Sequence, residues 1–442
     1  MTDSAEIQTD SKHFTRAVTD FGERKPVLAT APIFNDKGIK VAEKGVAINA
    51  DMYERLMQHR LSEPIENLVS SASTVDGKFL RETAENLFLQ IPFLARMAAD
   101  AGMRELLLDV VSKISLPAPI AFQVTLCSEV QYDSFIHGVQ VALISAWLAK
   151  TPTSLRFDVG MAATVGLVHD LGMLHLDPVL LQPEQVLSRT LRRQLYTHPL
   201  ISAMLLKRHH EFPKEAVRAV EEHHESLNGS GYPRNLAGDA ISPSGRILGL
   251  AAVVAAMFSH ERRAPEMRLS VLLRMNMHRY DSVHVERVMR LLRPDQDAAN
   301  AMSLVLEDPV RRLMDIEDAI AHWPSTLMKT PGLSKERLYG LNALAAQTAQ
   351  LQRALATVGV AREQLVQIGD GIQDDIVKVE LSLLAIEAAW QLRSMARQTR
   401  RRWHADHGEA YPDELQSWLD RVDDLTDEGS FHSGDTTKTH GT

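Results

Sequence analysis

The chain has 442 residues, 45% of them hydrophobic, and a formal net charge of -9, which is material for two or three domains at ~100–200 residues each. The acidic balance excludes the basic field that drives non-specific nucleic-acid binding, so an anionic ligand needs a local positive site. A single cysteine, Cys127, excludes an intramolecular disulfide framework and thiolate-rich zinc sites, and leaves histidine and carboxylate as the metal ligands to look for.

Residues 1–22 are polar and are expected to be a flexible N-terminus. They carry no basic segment followed by an apolar run, and no stretch approaches the ~18 consecutive apolar residues of a spanning helix. A cytoplasmic protein without membrane partners is expected. Residues 23–115 read as a small α+β module. In residues 27–48, two short apolar runs flank Asn35-Asp36-Lys37-Gly38 and are followed by Lys44-Gly45, the pattern of a hairpin with glycine at positive φ. Met52, Leu56 and Met57 then recur at helical spacing.

The proline-marked stretch 115–119 ends this module, and residues 116–320 are patterned almost entirely as helix, so an all-α domain is predicted there. A second break at residues 324–332 precedes a C-terminal helical hairpin or bundle over residues 333–425, with short turns at Gly359, Gly369 and Gly371. Leu381, Leu384, Ala388, Leu392 and Met395 form a stripe there, suited to packing within the chain or in a homodimer. Arg400, Arg401 and Arg402 read as solvated. Residues 426–442 have the composition of a disordered tail. The fold class is therefore mainly α, an all-α bundle between a small α+β module and C-terminal helices.

Histidines recur on inward helix faces in the middle domain: His137 in SFIHGVQVAL, with Asp133 one turn earlier; His169 beside Asp170 in GLVHDLG; His198 in YTHPLISAMLL; and His223 with His224 in AVEEHHE. A lone histidine on an apolar face is more often a core residue bonded to a carbonyl than a ligand. Repetition on successive helices, with a carboxylate adjacent, instead suits Fe, Mn, Zn or Ni in a bundle core. Adjacent histidines on a helix point about 100° apart, so His223 and His224 are expected to reach different metals or opposite sides of a cluster.

His169-Asp170, followed by His223-His224-Glu225 and Asn228-Gly229-Ser230-Gly231-Tyr232-Pro233, resembles the HD-GYP subgroup of the HD phosphohydrolase superfamily. The resemblance runs from about residue 137 to 292 and includes His198-Pro199, the run Gly238 to Pro243, and Arg246-Ile247. It implies an all-α bundle with two or three divalent metals that hydrolyses cyclic di-GMP or a related dinucleotide. In such a centre, metals about 3.5–4 Å apart stabilise the attacking and leaving oxygens of a displacement at phosphorus. Metal ligands are then His137, His169, Asp170, His198, His223 and His224. Asp170 bridges and, with His169, is catalytic. Gly229, Gly231, Tyr232, Pro233 and Arg246 are expected to bind substrate, the glycines by letting the backbone approach the ligand and Tyr232 by offering a flat face and a hydroxyl.

The chain departs from that family at Met173, where a lysine is usual, at Ala252, where an aspartate ligand is usual, at Ala255, and at Asn228. Asp133 and Glu225 are candidates to replace the missing carboxylate. Two readings result: a cyclic di-GMP phosphodiesterase with a thinned metal site that holds two metals or retains one, or a catalytically impaired signalling protein that senses nucleotide or binds protein partners.

Overall fold

The computed structural model describes residues 12–426 apart from residue 73 and residues 183–187, 259–262, 295–303, 325–326, 328–333, 369–371, 373 and 405–411. The turns expected at Gly369 and Gly371 and the tail after residue 426 lie outside the described residues. Among the described residues the fold is helical with four short strands, and the chain divides into two compact units.

The first unit holds residues 12–258 and 278–291. It opens with helix α1 (Lys12–Gly22), which corrects the expectation of a loose N-terminus for residues 12–22, while residues 1–11 lie outside the described residues. Phe14, Val18 and Phe21 fall at i, i+4 and i+7, and all three are buried, so the segment has an apolar face to dock despite its polar composition. Strands β1 (Val27–Ala29), β2 (Ile33–Phe34) and β3 (Lys40–Ala42) follow, then helix α2 (Ala50–Met57) and strand β4 (Val69–Ser71). β2 and β3 form the expected antiparallel hairpin around Asn35–Gly38, while β1 pairs with β4. Gly38 and Gly45 take positive φ, as the turns require.

Helices α3 (Gly77–Gln90), α4 (Pro92–Met97), α5 (Ala101–Ser112) and α6 (Ala118–Val130) lead to α7 (Tyr132–Ala149), which is buried almost all round from Phe135 to Leu148. A helix apolar on every side belongs in the middle of a bundle, and α7 packs against α3, α5 and α6 and, most extensively, α8 (Arg156–Val168). Gly166 makes that approach possible: a Cβ there would lie 2.7 Å from the Ala142 Cα. The apolar run Arg156–His175 is long and apolar enough to cross a membrane by composition, but it comprises α8 and the turn after it, and 61% of its window is buried inside the protein. Helices α9 (Arg189–Leu195), α10 (His198–Lys207), α11 (Lys214–Glu222) and α12 (Pro243–Met257) extend the bundle.

Helix α13 (Pro265–Met275) is assigned to the second unit, and α14 (Ser282–Leu291) returns to the first. The second unit continues through α15 (Pro309–Ala321), α16 (Lys335–Thr357), α17 (Arg362–Ile368), α18 (Asp375–His404) and α19 (Asp413–Thr426). Met267, Val271 and Met275 of α13 join the same apolar cluster as Leu381, Leu384, Ala388, Leu392 and Met395 of α18. The α18 stripe is thus core of its own unit. Asn276 Nδ2 donates to Glu387 Oε1 at 2.9 Å, a buried amide satisfied inside this core.

Candidate metal centre

Five histidines and one aspartate reach a common point from four segments of the first unit, and three of those segments do so at helix ends. His169 caps the C-terminus of α8, with Asp170 next; His198 opens α10; His223 caps α11, with His224 just beyond; His137 lies within α7. The short 3-10 turn Leu171–His175 carries the chain from Asp170 toward α10. Gly172 permits that contact, because a Cβ there would stand 2.4 Å from the His198 carbonyl oxygen, and its N–H donates to Ser202 Oγ at 2.8 Å.

The imidazoles share one anchoring rule. Nδ1 of His169, His198 and His223 each lies within hydrogen-bond distance of the carbonyl three residues earlier: Gly166 at 2.8 Å, Leu195 at 2.6 Å and Val220 at 2.6 Å. A carbonyl only accepts, so Nδ1 is the protonated nitrogen and Nε2 turns its lone pair inward, available to a metal. Asp170 stands between. Its Oδ2 is 3.1 Å from His169 Nε2 and 4.0 Å from His137 Nε2, while Oδ1 is 3.2 Å from His198 Nε2 and 3.4 Å from His223 Nε2.

Two potential ligand sets emerge, Asp170 with His198, His223 and His224, and His137 with His169 and Asp170; within each, the ligand atoms lie within 4.8 Å of one another. His223 and His224 fall in the same set, contrary to the expectation that they diverge. His223 is the C-cap of α11, which ends at Glu222, and His224 follows beyond the helix. Their ring centroids are 4.1 Å apart.

The donor chemistry fits a cation. His198 Nε2 is 3.3 Å from His223 Nε2 and 3.1 Å from His224 Nε2. With Nδ1 protonated on His198 and His223, the facing Nε2 atoms both present lone pairs, which no hydrogen bond between them can satisfy. Asp170 Oδ1 is buried without a hydrogen-bond partner. Burial lowers the His223 pKa to about 4 and holds that of His224 well below the usual imidazole value, so a proton does not readily fill the gap. At His169 burial acts in the same direction, but the Asp170 charge and hydrogen bond outweigh it and raise the pKa. Burial likewise opposes ionisation of Asp170, yet His169 and then His198 hold its carboxyl well below the usual range. Imidazole nitrogens facing an ionised carboxylate are a ligand set for a transition metal.

The residues expected to touch substrate are otherwise engaged. Tyr232 is buried and stacks on both Tyr196, at 4.2 Å, and His224, at 4.6 Å, so its face is not open at the rim. Gly231 lies against its own chain: a Cβ would meet the His224 carbonyl oxygen at 2.4 Å. Gly229 supplies the positive φ of the turn, and Pro233 follows a cis peptide bond. Arg246 donates to the Gly238 carbonyl at 3.0 Å, the Ile241 carbonyl at 3.1 Å and Asp239 at 2.8 Å, which commits it to ordering the loop.

Neither candidate for the missing carboxylate joins a ligand set. Asp133 is exposed, and Glu225 accepts the backbone N–H groups of Arg234 at 2.7 Å and Leu236 at 2.8 Å, stapling the loop after the paired histidines. Met173, Ala252 and Ala255 are buried. Sequence reasoning missed Ser202 and Tyr196, which hold Gly172 and Tyr232; isolated serine and tyrosine residues carry no pattern that would single them out.

The family described as HD domain matches residues 130–283. Three proteins of Vibrio cholerae serotype O1 are similar over parts of the chain. The 3'3'-cGAMP-specific phosphodiesterase 1 is 32% identical over 149 residues, 33% of this chain and 33% of its own. The 3'3'-cGAMP-specific phosphodiesterase 3 is 23% identical over 247 residues, 53% of each chain. A cyclic di-GMP phosphodiesterase is 32% identical over 130 residues, 27% of this chain and 26% of its own. The chain thus spans about half or less of the length of each of these relatives.

Proposed function

We propose, from the match of residues 130–283 to the HD domain family and their resemblance to its HD-GYP subgroup, that the chain is a metal-dependent phosphodiesterase acting on a cyclic dinucleotide, with cyclic di-GMP as substrate and 3'3'-cGAMP as the competing candidate. The observation that carries this reading is the convergence of His137, His169, His198 and His223 on the two oxygens of the half-buried Asp170 carboxylate, with His224 beside them in one ligand set. Asp170, His198, His223 and His224 would hold one divalent ion, and His137, His169 and Asp170 a second. Divalent metal in such a pair supplies Lewis-acid stabilisation of phosphoryl oxygens and lowers the pKa of water.

The chain's own residues have defined tasks. Asp170 offers one oxygen to each half and supplies the only carboxylate of either set. His223 and His224 stay neutral across the physiological range and so remain donors. Glu225 and Arg246 hold the 226–241 loop in shape beside them. Charge on the phosphate must then be met chiefly by the cations themselves, because residue 173 is an apolar, buried methionine.

The second reading, an impaired enzyme that retains the pocket to sense nucleotide, is favoured by the shorter ligand set and by Ala252 on α12. Turnover of each dinucleotide by the full chain loaded with manganese or ferrous iron separates the two. Linear product that vanishes in Asp170→Asn is the expected result. Metal-loaded protein that binds cyclic di-GMP and yields no product would establish the sensing reading instead.

A further inference from the structure

The 3-10 turn Leu171–His175 that follows Asp170 is pinned at both ends. Near its start the Gly172 N–H is held by Ser202 Oγ at 2.8 Å, and the Met173 N–H returns to the Asp170 carbonyl at 2.8 Å. Its last residue, His175, is 4% exposed, lies 3.2 Å through Nε2 from Gln123 Oε1, and stacks on Phe14 of α1 with ring centroids 4.3 Å apart and planes within 2°. A turn this short has little internal freedom, so displacing His175 displaces Asp170. The N-terminal segment makes a second contact with the ligand-bearing elements: Arg208, just after α10, donates to the buried Glu66 at 3.2 Å, and α10 begins with His198.

We propose that α1 is a structural part of the metal centre, with Phe14 a positioning residue that acts through His175 to set the place of the Asp170 carboxylate. The inference rests on the metal-centre reading above and deepens it: the N-terminal module is a point from which metal affinity, and through it activity, is adjusted. Asp170 is the lever because both ligand sets share it, so a small displacement is felt twice. Groups that orient ligands from outside the coordination sphere typically alter metal affinity by about 10–100-fold when removed.

Zinc affinity of the full chain, measured by competition with a chromogenic chelator, is the test. Phe14→Leu keeps the apolar bulk and removes the ring, and is expected to weaken zinc binding about tenfold; Phe14→Tyr keeps the stack and is expected to retain wild-type affinity. Phe21→Leu is the control, since Phe21 is equally buried on α1 but packs on Phe122 at 6.4 Å, and its affinity should not change. Zinc affinity in Phe14→Leu within about twofold of wild type, or an equal loss in Phe21→Leu, would overturn the proposal. Failure of the wild-type chain to bind zinc would overturn the metal-centre reading itself, and this inference with it.

Discussion

The two halves of the centre share Asp170 and differ in almost everything else. One half draws His198, His223 and His224 from the start of α10 and the end of α11, so that with Asp170 four candidate ligands lie within 4.8 Å of one another. The other, among the described residues, has only His137 and His169 beside the shared carboxylate, and the position on α12 where a further carboxylate is expected is Ala252. The ends of α8 and α11 each bring two adjacent candidate ligands, His169 with Asp170 and His223 with His224, whereas the interior of α7 brings one. A four-coordinate set needs no outside help, whereas a three-ligand set keeps open positions and depends on water or substrate.

The largest effect is expected from removing what the halves share. Asp170→Asn takes the anionic ligand from both, and should abolish tight metal binding and lower phosphodiester hydrolysis by about a thousandfold or more, as measured by inductively coupled plasma mass spectrometry and product chromatography. Retention of both metals would show that histidines alone hold them and would remove Asp170 from its central role. Next comes the double variant His223→Ala with His224→Ala, which should empty the four-ligand half and leave at most weak binding at His137 and His169. Metal content equal to wild type would mean that the halves have been ranked in the wrong order.

Smaller and opposite in sign is Ala252→Asp. A carboxylate restored on α12 should raise metal stoichiometry in the shorter half and increase any hydrolysis severalfold. No gain in a chain that binds one metal would place residue 252 out of reach of that half. The least change in metal content is expected from Met173→Lys. On the sequence alone this substitution would place a cation near the substrate phosphate. Met173 is only 9% exposed, however, so an ammonium there must leave water and should lower the melting temperature without raising turnover. A gain in turnover at unchanged melting temperature would show that the side chain reaches the cleft after all.

How much could be read in advance differs by residue. The helical character of the middle and C-terminal regions followed from apolar spacing, and the hairpin at Ile33–Ala42 from its Asn-Asp-Lys-Gly turn. The polar average over residues 1–22 hid the stripe of Phe14, Val18 and Phe21, because composition averages over faces and packing does not. The proline break at 324–332 suggested a boundary, but the compact units divide the chain elsewhere and group α13 with the C-terminal helices, since Met267, Val271 and Met275 find their apolar partners there.

At the site, sequence by itself determined which candidate donors to look for: His137, His169, Asp170, His198, His223 and His224 were named by type, spacing and resemblance, because imidazole and carboxylate suit borderline metals. Only tertiary structure decided how those donors group and which neighbours are already engaged. It put His223 and His224 on the same side, bound Arg246 and Glu225 to backbone of the 226–241 loop, and closed Tyr232 between Tyr196 and His224. The physical reason is that a side chain's chemistry is local, whereas its availability depends on every hydrogen bond and contact made by residues distant in sequence, and those are settled only when the helices pack.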